Sequence, residues 1–592
     1  MTPHRLSPLL MALVLTAASL AWSTPARAAG ESISGVVTDG ISGAPIADVC
    51  VTLGPPIVCF TRTDGNGQYV IGLEALAAPP GSTWDMYFLK QPTHQTAYSE
   101  IFTVSGPVTW NQVLMPVGQR ELCPAERTAS AAQTVYLPNV TKTFGGASGW
   151  QTPFIIQNTG VATTTLEITY KRFLNSACAV RRTVTDLGPG TSFADVPNND
   201  NDLPGNTQFA VVIRSFGGSV VSVVNQHAGG GARAEAMAYV GASSGSTSVF
   251  LPNIVRRFFG YVTPFIIQNL GTTETTATAQ FTSFDGSAPT VTVTRTIPAG
   301  GSKFVDPNSD DSAVGAPGLI DGKQYAVRVT SAQQVSVIVN THNDAPSVSA
   351  PVAYATNGIR NGAARVYGPY AAKNAQGTDR VSTIVVQNLS TASITPTLTF
   401  TPLGGGTDQV VTSPAAVAPG GAWAFDPRFE FGTTTPCGAG SATCLGNGEY
   451  SFVASSGSTT REIAVAVNVI GSSTAMGYTA LRNPTDTVSL PNVTRTLGGA
   501  AGWTTPIVLQ GVTATSATLR WYRFSDGALV HTQSIVLGSG SAKRIDPREV
   551  AELADNNQYA VVATSSSGTI AAIVVEEASG GDNAMIYEGF AR

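Results

Sequence analysis

The sequence TPFIIQN occupies residues 152–158 and returns unchanged at residues 263–269. A looser copy, STIVVQN, lies at 382–388, and a degenerate copy, TPIVLQG, lies at 505–511. Counted between their glutamines at positions 157, 268, 387 and 510, the copies are 111, 119 and 123 residues apart. This spacing matches the length of a β-sandwich domain and exceeds that of a solenoid repeat. The unbroken apolar run is typical of a strand in a sandwich core or buried on both faces.

Four immunoglobulin-like repeats are predicted around these strands, at residues 134–243, 247–358, 364–481 and 486–592. Each begins with a strand that contains Pro, followed by long Thr-rich strands and a Gly turn. An aromatic-bearing strand, a Val-rich strand and a final strand with Tyr then follow. Seven or eight strands in some 110 residues are typical of an immunoglobulin-like sandwich. The recurring Thr-Pro-x-Ile-x-Gln-Asn and Asp-Pro elements resemble repeats of large exported bacterial surface proteins, which implies an architecture but no activity.

Residues 30–118 have a different pattern, with ISGVVTD at 33–39, GAPIADV at 43–49 and TDGNGQYVI at 63–71. Gly and Asn in the last motif favour a hairpin turn, because both tolerate positive φ. In this order the motifs resemble the carboxypeptidase regulatory-like domain, a small transthyretin-like β-sandwich. The resemblance implies a non-catalytic accessory domain from a superfamily often described as carbohydrate-binding-like. Residues 119–133 are predicted to be a linker. The fold class is therefore all-β, with one transthyretin-like sandwich before four immunoglobulin-like ones.

Residues 1–29 have the pattern of a signal peptide. Arg5 precedes an apolar core at 9–22, and Ala26-Arg27-Ala28 forms an Ala-x-Ala cleavage site. The apolar run is too short to span a bilayer comfortably, and no second run of spanning length follows. We therefore expect a secreted or cell-surface protein with no transmembrane segment in its mature chain.

The six cysteines predict disulfides, because an even number in an exported chain usually forms a covalent framework. Two pairs would each close a short loop, Cys50 with Cys59 and Cys437 with Cys444. Cys123 and Cys178 remain, and their bond would staple the linker to the first repeat. The sequence alone allows 15 pairings. Zinc is a weak alternative, since neither close pair has His or further Cys at zinc spacing.

The composition excludes some functions. Charged residues make up 12% of the chain and the net charge is −5, so no basic face is available for nucleic acid. The sequence GASSG at 241–245 matches a nucleophile motif but lies between two repeats, outside any strand-to-helix turn. No repeat contains a set of nucleophile, base and acid, and we predict that the protein is not an enzyme.

Aromatic side chains follow the first strand of three repeats, beside glycine. They are candidates for contact with a carbohydrate or a protein partner, because an aromatic face with a polar edge suits a sugar ring. The alternative is packing between successive domains. Solvent-facing tryptophans would favour the first interpretation, and tryptophans buried at junctions would favour the second. The residues are Trp150, Phe258, Phe259, Tyr261 and Trp503.

Two acidic loops are candidates for calcium, the one cofactor considered possible, because calcium prefers clustered oxygen ligands on flexible loops. The alternative is that Asp and Asn stand there for turn formation alone, since the third and fourth repeats lack the cluster. The candidate ligands are Asp195, Asp200, Asp202, Asp306, Asp310 and Asp311.

The repeated Gln is interpreted as a buried amide that pins a loop, with ligand contact as the alternative. Asn158, Asn269 and Asn388 are expected to begin the following turn. Our leading hypothesis is an exported, non-catalytic protein with a structural or adhesive role at the cell surface or in a matrix. Its partner would be a surface glycan or a protein. The alternative is a carbohydrate-binding accessory protein, and an enzyme of unknown class is third.

Overall fold

The computed structural model describes residues 32–592 except 41, 54–58, 74–82, 95, 99–101, 104–106, 115, 117–121, 147, 174, 310–317, 344–347, 349, 376–378, 404 and 439–440. The predicted signal peptide and the candidate ligands Asp310 and Asp311 lie outside the described residues. The described chain consists of strands, short 3-10 helices and turns, with no α-helix in these ranges. The predicted all-β class with tandem sandwiches is confirmed, whereas the exact domain boundaries stay a prediction.

The N-terminal unit packs small sheets around one core. Tyr69 donates a hydrogen bond from its hydroxyl to the carbonyl of Trp110 at 2.7 Å and packs edge-on against Phe88. The sheets have the orders β10-β1-β4 with β9 beside β1, β3-β2-β6-β7, and β5-β8. The strands are β1 Ser32–Asp39, β2 Cys50–Leu53, β3 Thr61–Arg62, β4 Gln68–Gly72, β5 Thr83–Trp84, β6 Met86–Leu89, β7 Ala97–Tyr98, β8 Phe102–Thr103, β9 Val108–Thr109 and β10 Gln112–Leu114.

Repeat 1 has eight strands in two four-stranded antiparallel sheets. We call β11-β16-β13-β14 its outer sheet and β15-β12-β17-β18 its inner sheet. Two 3-10 helices lie at Pro197–Asn199 and Gly231–Arg233. The strands are β11 Gln133–Lys142, β12 Phe154–Asn158, β13 Thr164–Arg172, β14 Cys178–Leu187, β15 Ser192–Asp195, β16 Thr207–Ser215, β17 Val220–Ala228 and β18 Glu235–Val240.

Repeat 2 joins its sixth and seventh strands into the single strand β25, which takes part in both sheets. A short extra strand, β20, follows the first. The strands are β19 Ser246–Phe258, β20 Tyr261–Val262, β21 Phe265–Asn269, β22 Thr275–Ser283, β23 Val291–Ile297, β24 Ser302–Val305, β25 Lys323–Asn343 and β26 Val352–Asn357.

Repeats 3 and 4 have the eight strands of repeat 1, and repeat 4 adds the short strand β43 beside β35. The outer sheets are β27-β32-β29-β30 and β43-β35-β40-β37-β38, and the inner sheets are β31-β28-β33-β34 and β39-β36-β41-β42. A 3-10 helix lies at Pro547–Glu549. The strands of repeat 3 are β27 Arg365–Lys373, β28 Val381–Asn388, β29 Thr397–Pro402, β30 Gln409–Thr412, β31 Ala422–Phe425, β32 Gly448–Ser455, β33 Ile463–Ile470 and β34 Ala475–Thr479. The strands of repeat 4 are β35 Thr487–Arg495, β36 Ile507–Gly511, β37 Thr515–Arg523, β38 Leu529–Leu537, β39 Ala542–Ile545, β40 Asn557–Ser565, β41 Ile570–Glu577, β42 Ala584–Glu588 and β43 Phe590–Ala591.

The three disulfides that the cysteine spacing favours are present. They join Cys50 to Cys59, Cys123 to Cys178, and Cys437 to Cys444. The second bond ties the segment before repeat 1 to strand β14.

The inner sheets are buried on both faces. Four strands carry the repeated motif. Every residue of β12, β21 and β36 is buried, and in β28 only Thr383 is partly exposed. One face packs against the outer sheet of its own repeat, and the other packs against the preceding repeat. Ile266 and Ile338 of repeat 2 join the core of repeat 1, and Ile155 and Val223 of repeat 1 join the core of repeat 4. The continuous apolar run thus forms a strand in the middle of a layered structure.

The four repeats close into a ring around a pseudo-fourfold axis. Strand β18 packs against β26, β26 against β34, β34 against β42, and β42 against β18. At each junction the inner sheet of one repeat packs against the hydrophobic core of the preceding repeat. Such a head-to-tail interface produces a closed ring when its rotation closes, here within one chain.

Asp582 connects its own repeat to the other three at this axis. It belongs to repeat 4 and has no exposed surface. Its carboxylate accepts hydrogen bonds from the backbone N–H of Ala353 in repeat 2 at 2.6 Å and of Ala475 in repeat 3 at 2.8 Å. Its own N–H donates to the carbonyl of Ala234 in repeat 1 at 2.8 Å. One carboxylate therefore satisfies the amides that begin two of the four axial strands.

We expect Asp582→Ala to lower the melting temperature of the chain. The substitution leaves two buried amides without acceptors, at a cost of about 1–3 kcal/mol each. Differential scanning fluorimetry measures the effect. Asp526→Ala is the matched control, because Asp526 is exposed in the turn between β37 and β38. Equal melting temperatures for the wild type and Asp582→Ala would contradict a role for Asp582 in holding the ring.

Candidate functional site

The predicted aromatic contact residues are divided between junctions and surface. The half-buried Trp150 of repeat 1 packs edge-on against His342 of repeat 2, with ring centroids 5.4 Å apart. Trp503 of repeat 4 packs in the same way against His227 of repeat 1 at 5.1 Å. Both tryptophans therefore cover a histidine of the next repeat in the ring. This placement favours packing between domains over contact with a sugar.

Tyr261 occupies the corresponding position in repeat 2. It packs with Tyr354 of its own repeat and with Ala475 and Ile470 of repeat 3. Burial raises the pKa of its hydroxyl. Repeat 3 has no aromatic residue in this loop, and Arg380 there forms an ion pair with Glu577 of repeat 4. The same loop thus contacts the following repeat at all four junctions.

Phe258 and Phe259 are the exception, because they lie at the surface. The Phe259 side chain is 82% exposed, and its ring lies edge-on to that of Phe258 at 4.6 Å. Arg257 and Phe259 both have positive φ, 48° and 50°, in the turn that ends β19. A bulky residue in the left-handed region signals a constrained turn. Of the five predicted contact residues, this pair is the one available to a partner.

The repeated glutamines lie at the junctions. The Gln510 amide donates to the carbonyl of Phe452 in repeat 3 at 3.3 Å and to Gly540 of its own turn at 3.0 Å. Gln157 and Gln268 donate to the equivalent turn carbonyls of Gly190 and Gly300. The side chains pin a loop, as the repeated Gln predicts. The Oε1 atoms of all four glutamines are buried and have no hydrogen-bond partner among the described residues.

The repeated asparagines begin turns. Asn158 accepts a hydrogen bond from the N–H of Gly160 at 2.9 Å and donates to Ala162 and Leu187, each at 2.8 Å. Asn269 and Asn388 make equivalent bonds. One buried amide thereby connects the end of the repeated strand to two loops.

A polar network crosses two junctions in matching positions. Gln226 of repeat 1 accepts a hydrogen bond from Asn139 at 2.8 Å and donates to Asn340 of repeat 2 at 3.4 Å. Glu576 occupies the position of Gln226 in repeat 4, since each pairs with the methionine of the next strand. It accepts from Asn492 at 3.1 Å and from Asn225 of repeat 1 at 2.8 Å.

Burial sets the protonation of these junction groups. Desolvation raises the pKa of Glu576 to about 8, against the bonds from Asn492 and Asn225. It raises the pKa of Asp582 to about 8 as well, and the neighbouring Glu235 acts in the same direction. Desolvation lowers the pKa of His227 to about 4 beneath Trp503. His342 lies 4.0 Å from Glu235 across the junction between repeats 1 and 2.

The predicted calcium ligands have other partners. Asp195 and Asp200 both form ion pairs with Arg182, Asp195 at 3.6 Å, and burial raises the pKa of Asp195. Asp200 also accepts from the N–H of Asp202 at 2.9 Å, and Asp306 accepts from the N–H of Asn308 at 2.8 Å. The described residues include no group of three or more His, Cys, Asp or Glu side chains placed to hold a metal. These contacts match the turn-forming alternative, and calcium binding stays a prediction.

In each repeat one Lys or Arg side chain, which the sequence alone did not single out, donates hydrogen bonds to the carbonyls of such a loop. Lys142 donates to the carbonyls of Asp200 at 2.7 Å and Leu203 at 2.9 Å. Lys373 donates to Leu445 at 2.6 Å, and Arg256 donates to Pro307 at 2.7 Å. Arg495 donates to Pro547 at 3.3 Å. A Lys or Arg seven to ten residues before each repeated motif is the signal that could have identified this side chain.

A polar cleft of about 520 Å³ lies between repeats 3 and 4, next to a second cleft of about 360 Å³. Its charged side chains pair with one another. Arg544 lies 3.6 Å from Glu449 and 3.4 Å from Glu577, and Arg548 lies 2.6 Å from Asp546. Cations and carboxylates therefore neutralise each other across this junction.

We expect Trp150→Ala and Trp503→Ala each to destabilise the folded chain by roughly 1–3 kcal/mol, because each removes a half-buried ring from a junction. Thermal unfolding measures the loss. Phe259→Ala is the matched control in the equivalent loop and should change stability by less than about 0.5 kcal/mol. The junction assignment would be wrong if the tryptophan variants melted like the wild type.

We expect Glu576→Gln to reduce the loss of stability at alkaline pH. Because folding raises the pKa of Glu576 from 4.5 to about 8, the folded chain holds a proton that the unfolded chain releases. Stability therefore falls as pH rises between these values. Glutamine can accept from Asn492 through Oε1 and, once the Asn225 amide has turned, donate through Nε2 to Asn225 Oδ1, as Gln226 donates to Asn340 in repeat 1, and it removes the titration. The expected gain at pH 9 is roughly 1–4 kcal/mol.

Melting temperatures of the wild type and of Glu576→Gln at pH 5 and pH 9 test this expectation. The exposed Glu549→Gln variant is the control for loss of one carboxylate. A pH dependence that Glu576→Gln leaves unchanged would show that Glu576 does not titrate in this range.

Comparison with known proteins identifies no family. No family model and no curated protein matches the chain, so the resemblance of residues 30–118 to the carboxypeptidase regulatory-like domain stays a prediction. Among solved structures, the chain is similar to a crystal structure of BcpA, the major pilin subunit of Bacillus cereus. The match covers 89% of this chain and 99% of that one, at 7% identity and a TM-score of 0.11. In the described residues, no helix is long and apolar enough to cross a membrane.

Proposed function

We propose that the protein is an exported, non-catalytic protein with a structural or adhesive role at the cell surface or in an extracellular matrix. The observation that carries this proposal is the closed ring of four repeats. The aromatic and acidic side chains best suited to ligand binding are used at the junctions instead. They are Trp150, Trp503, Glu576 and Asp582. A rigid block that uses its polar and aromatic groups internally suits a load-bearing or spacing role.

Export is supported by two features. The signal-peptide pattern at residues 1–29 predicts secretion, and three disulfides suit an oxidising compartment. Disulfides of this kind are rare in proteins of the reducing cytosol.

A non-catalytic role is supported by the state of the charged groups. Catalytic sites need a nucleophile, a base and an acid that converge on a pocket. The cleft between repeats 3 and 4 instead holds arginines paired with carboxylates, Arg544 with Glu449 and Glu577 among them. Charged side chains that neutralise each other stabilise a junction but leave little free charge for binding a substrate.

Carbohydrate binding is the second candidate, and the exposed Phe259 beside the half-buried Phe258 favours it. An 82% exposed phenylalanine on a constrained turn offers a flat apolar face at low entropic cost. Such a face can pack against a sugar ring or an apolar patch of a protein. The tryptophans contribute little to this candidate, because histidines of the next repeat cover them.

Adhesion of purified residues 30–592 to immobilised glycans, matrix proteins and intact producing cells tests the proposal. We expect saturable binding that the double variant Phe258→Ala, Phe259→Ala weakens roughly tenfold, as the loss of an aromatic anchor does elsewhere. Val161→Ala is the control, since Val161 is 98% exposed in another loop.

Binding to glycans alone would replace the leading proposal with the carbohydrate-binding one. Turnover in a panel of hydrolase substrates, or retention of the chain inside the producing cell, would contradict both.

A further inference from the structure

Each outer sheet ends in an edge strand that pairs with a neighbouring strand on one side only. These edge strands are β14, β23, β30 and β38 in repeats 1 to 4. An exposed edge strand presents a row of N–H and C=O groups that can pair with another chain. Proteins that remain monomeric protect such edges with charges, with short strands or with a covering segment.

Three of the four edges carry such protection. The segment before repeat 1 covers β14, where the N–H of Arg181 donates to the carbonyl of Leu122 at 2.7 Å and Cys123 is bonded to Cys178. Strand β23 carries Arg295. Strand β30 has only four residues, Gln409–Thr412.

Strand β38 has none of these features. It is nine residues long, contains no Lys, Arg, Asp, Glu or Pro, and pairs with β37 alone in the described chain. Two of its apolar side chains are largely exposed, Leu529 by 53% and Val536 by 69%. A long, uncharged and apolar edge is the kind that pairs with another strand.

The sequence of β38 is nearly the same in both directions. It runs Leu-Val-His-Thr-Gln-Ser-Ile-Val-Leu from residue 529 to residue 537. Antiparallel pairing with a second copy about Gln533 places Leu529 opposite Leu537, Val530 opposite Val536, and Thr532 opposite Ser534. Apolar residues then meet apolar residues and hydroxyls meet hydroxyls, and His531 opposite Ile535 is the one unlike pair. A bulge at Val530 bends one end, so the regular pairing lies over residues 531–535.

Gln533 gives an independent indication at the centre of this arrangement. Its Nε2 atom is buried and has no hydrogen-bond partner among the described residues. In antiparallel pairs, directly opposite side chains have Cβ atoms about 4.5–5.5 Å apart. A second Gln533 at that position supplies an amide oxygen for this donor after a side-chain rotation, and the two amides can bond to each other.

We propose that the chain forms a two-fold symmetric dimer in which β38 pairs antiparallel with β38 of a second copy about Gln533. The two outer sheets of repeat 4 then become one continuous sheet of eight principal strands, extended at each end by β43. This interface is isologous and therefore closes at two copies. The inference is independent of the proposed function, because it rests on the edge strand alone.

Sedimentation equilibrium of residues 30–592 over micromolar concentrations tests the proposal. The wild type is expected at twice the monomer mass. The double variant Thr532→Lys, Ser534→Lys places lysines opposite lysines twice across the two-fold axis and is expected at the monomer mass. The double variant Thr532→Glu, Ser534→Glu should behave in the same way. An equimolar mixture of the two variants should recover the dimer, because each lysine then faces a glutamate.

The matched control is Thr292→Lys, Thr294→Lys on the edge of repeat 2, where both threonines are exposed. It should retain the dimer mass and shows that added lysines do not act through net charge. A second readout is Gln533→Cys, which should form an intermolecular disulfide on oxidation, whereas Val536→Cys should not, because it faces Val530. A wild type at the monomer mass, or a dimer that survives the double lysine variant, would overturn the proposal.

Discussion

The burial of each inner sheet on both faces is the constraint on which the rest of the structure depends. A sandwich normally buries one face of each sheet and leaves the other to solvent, as the alternating burial of β22 shows for an outer sheet. In β12, β21 and β36 no residue reaches solvent. A single repeat would therefore expose a whole apolar sheet face, which is a large patch for a monomeric protein. Head-to-tail packing covers that face in the next repeat, and closure covers it in all four.

Closure buries most residues of the four axial strands, and the polar groups there have specific partners. Asp582 interrupts the pseudo-symmetry, because among the described residues no other repeat supplies a carboxylate to two neighbouring axial strands. Glu576 and Gln226 show the same position filled by an acid in one junction and by an amide in another. Buried polar groups of this kind contribute little net stability but penalise wrong pairings, since any misfit leaves them unsatisfied. They therefore distinguish one junction from the next within an otherwise repetitive ring.

The strands, the pairing of the cysteines and the roles of the repeated Gln and Asn were predictable, because each depends on local pattern. The ring was not predictable, because an apolar run indicates that a strand is buried on both faces but does not identify the elements that cover it. For the same reason Trp150 and Phe259 look alike in sequence, yet one covers a histidine of the next repeat and the other faces solvent. Two details depended on register. Strand β25 passes through both sheets without a break. Tyr354 pairs with Thr341, which is two residues beyond the position with which the terminal tyrosine of each other repeat pairs.

Closing the ring also decides where further assembly can take place. The inner faces are used at junctions, and the first strand of each repeat is bordered by the segment after its last strand. The edges of the outer sheets then remain for further pairing, together with the four-residue edge strands β15, β24, β31 and β39 of the inner sheets. Edge pairing has weak specificity unless side chains set the register. The near-palindrome of β38 provides that register at one edge, while a covering segment, a charge or a short strand protects the others. A chain with four similar sandwiches thus has four similar edges but only one suited to self-pairing. Association through one edge of a closed ring ends at two copies, whereas several open edges would lead to fibres.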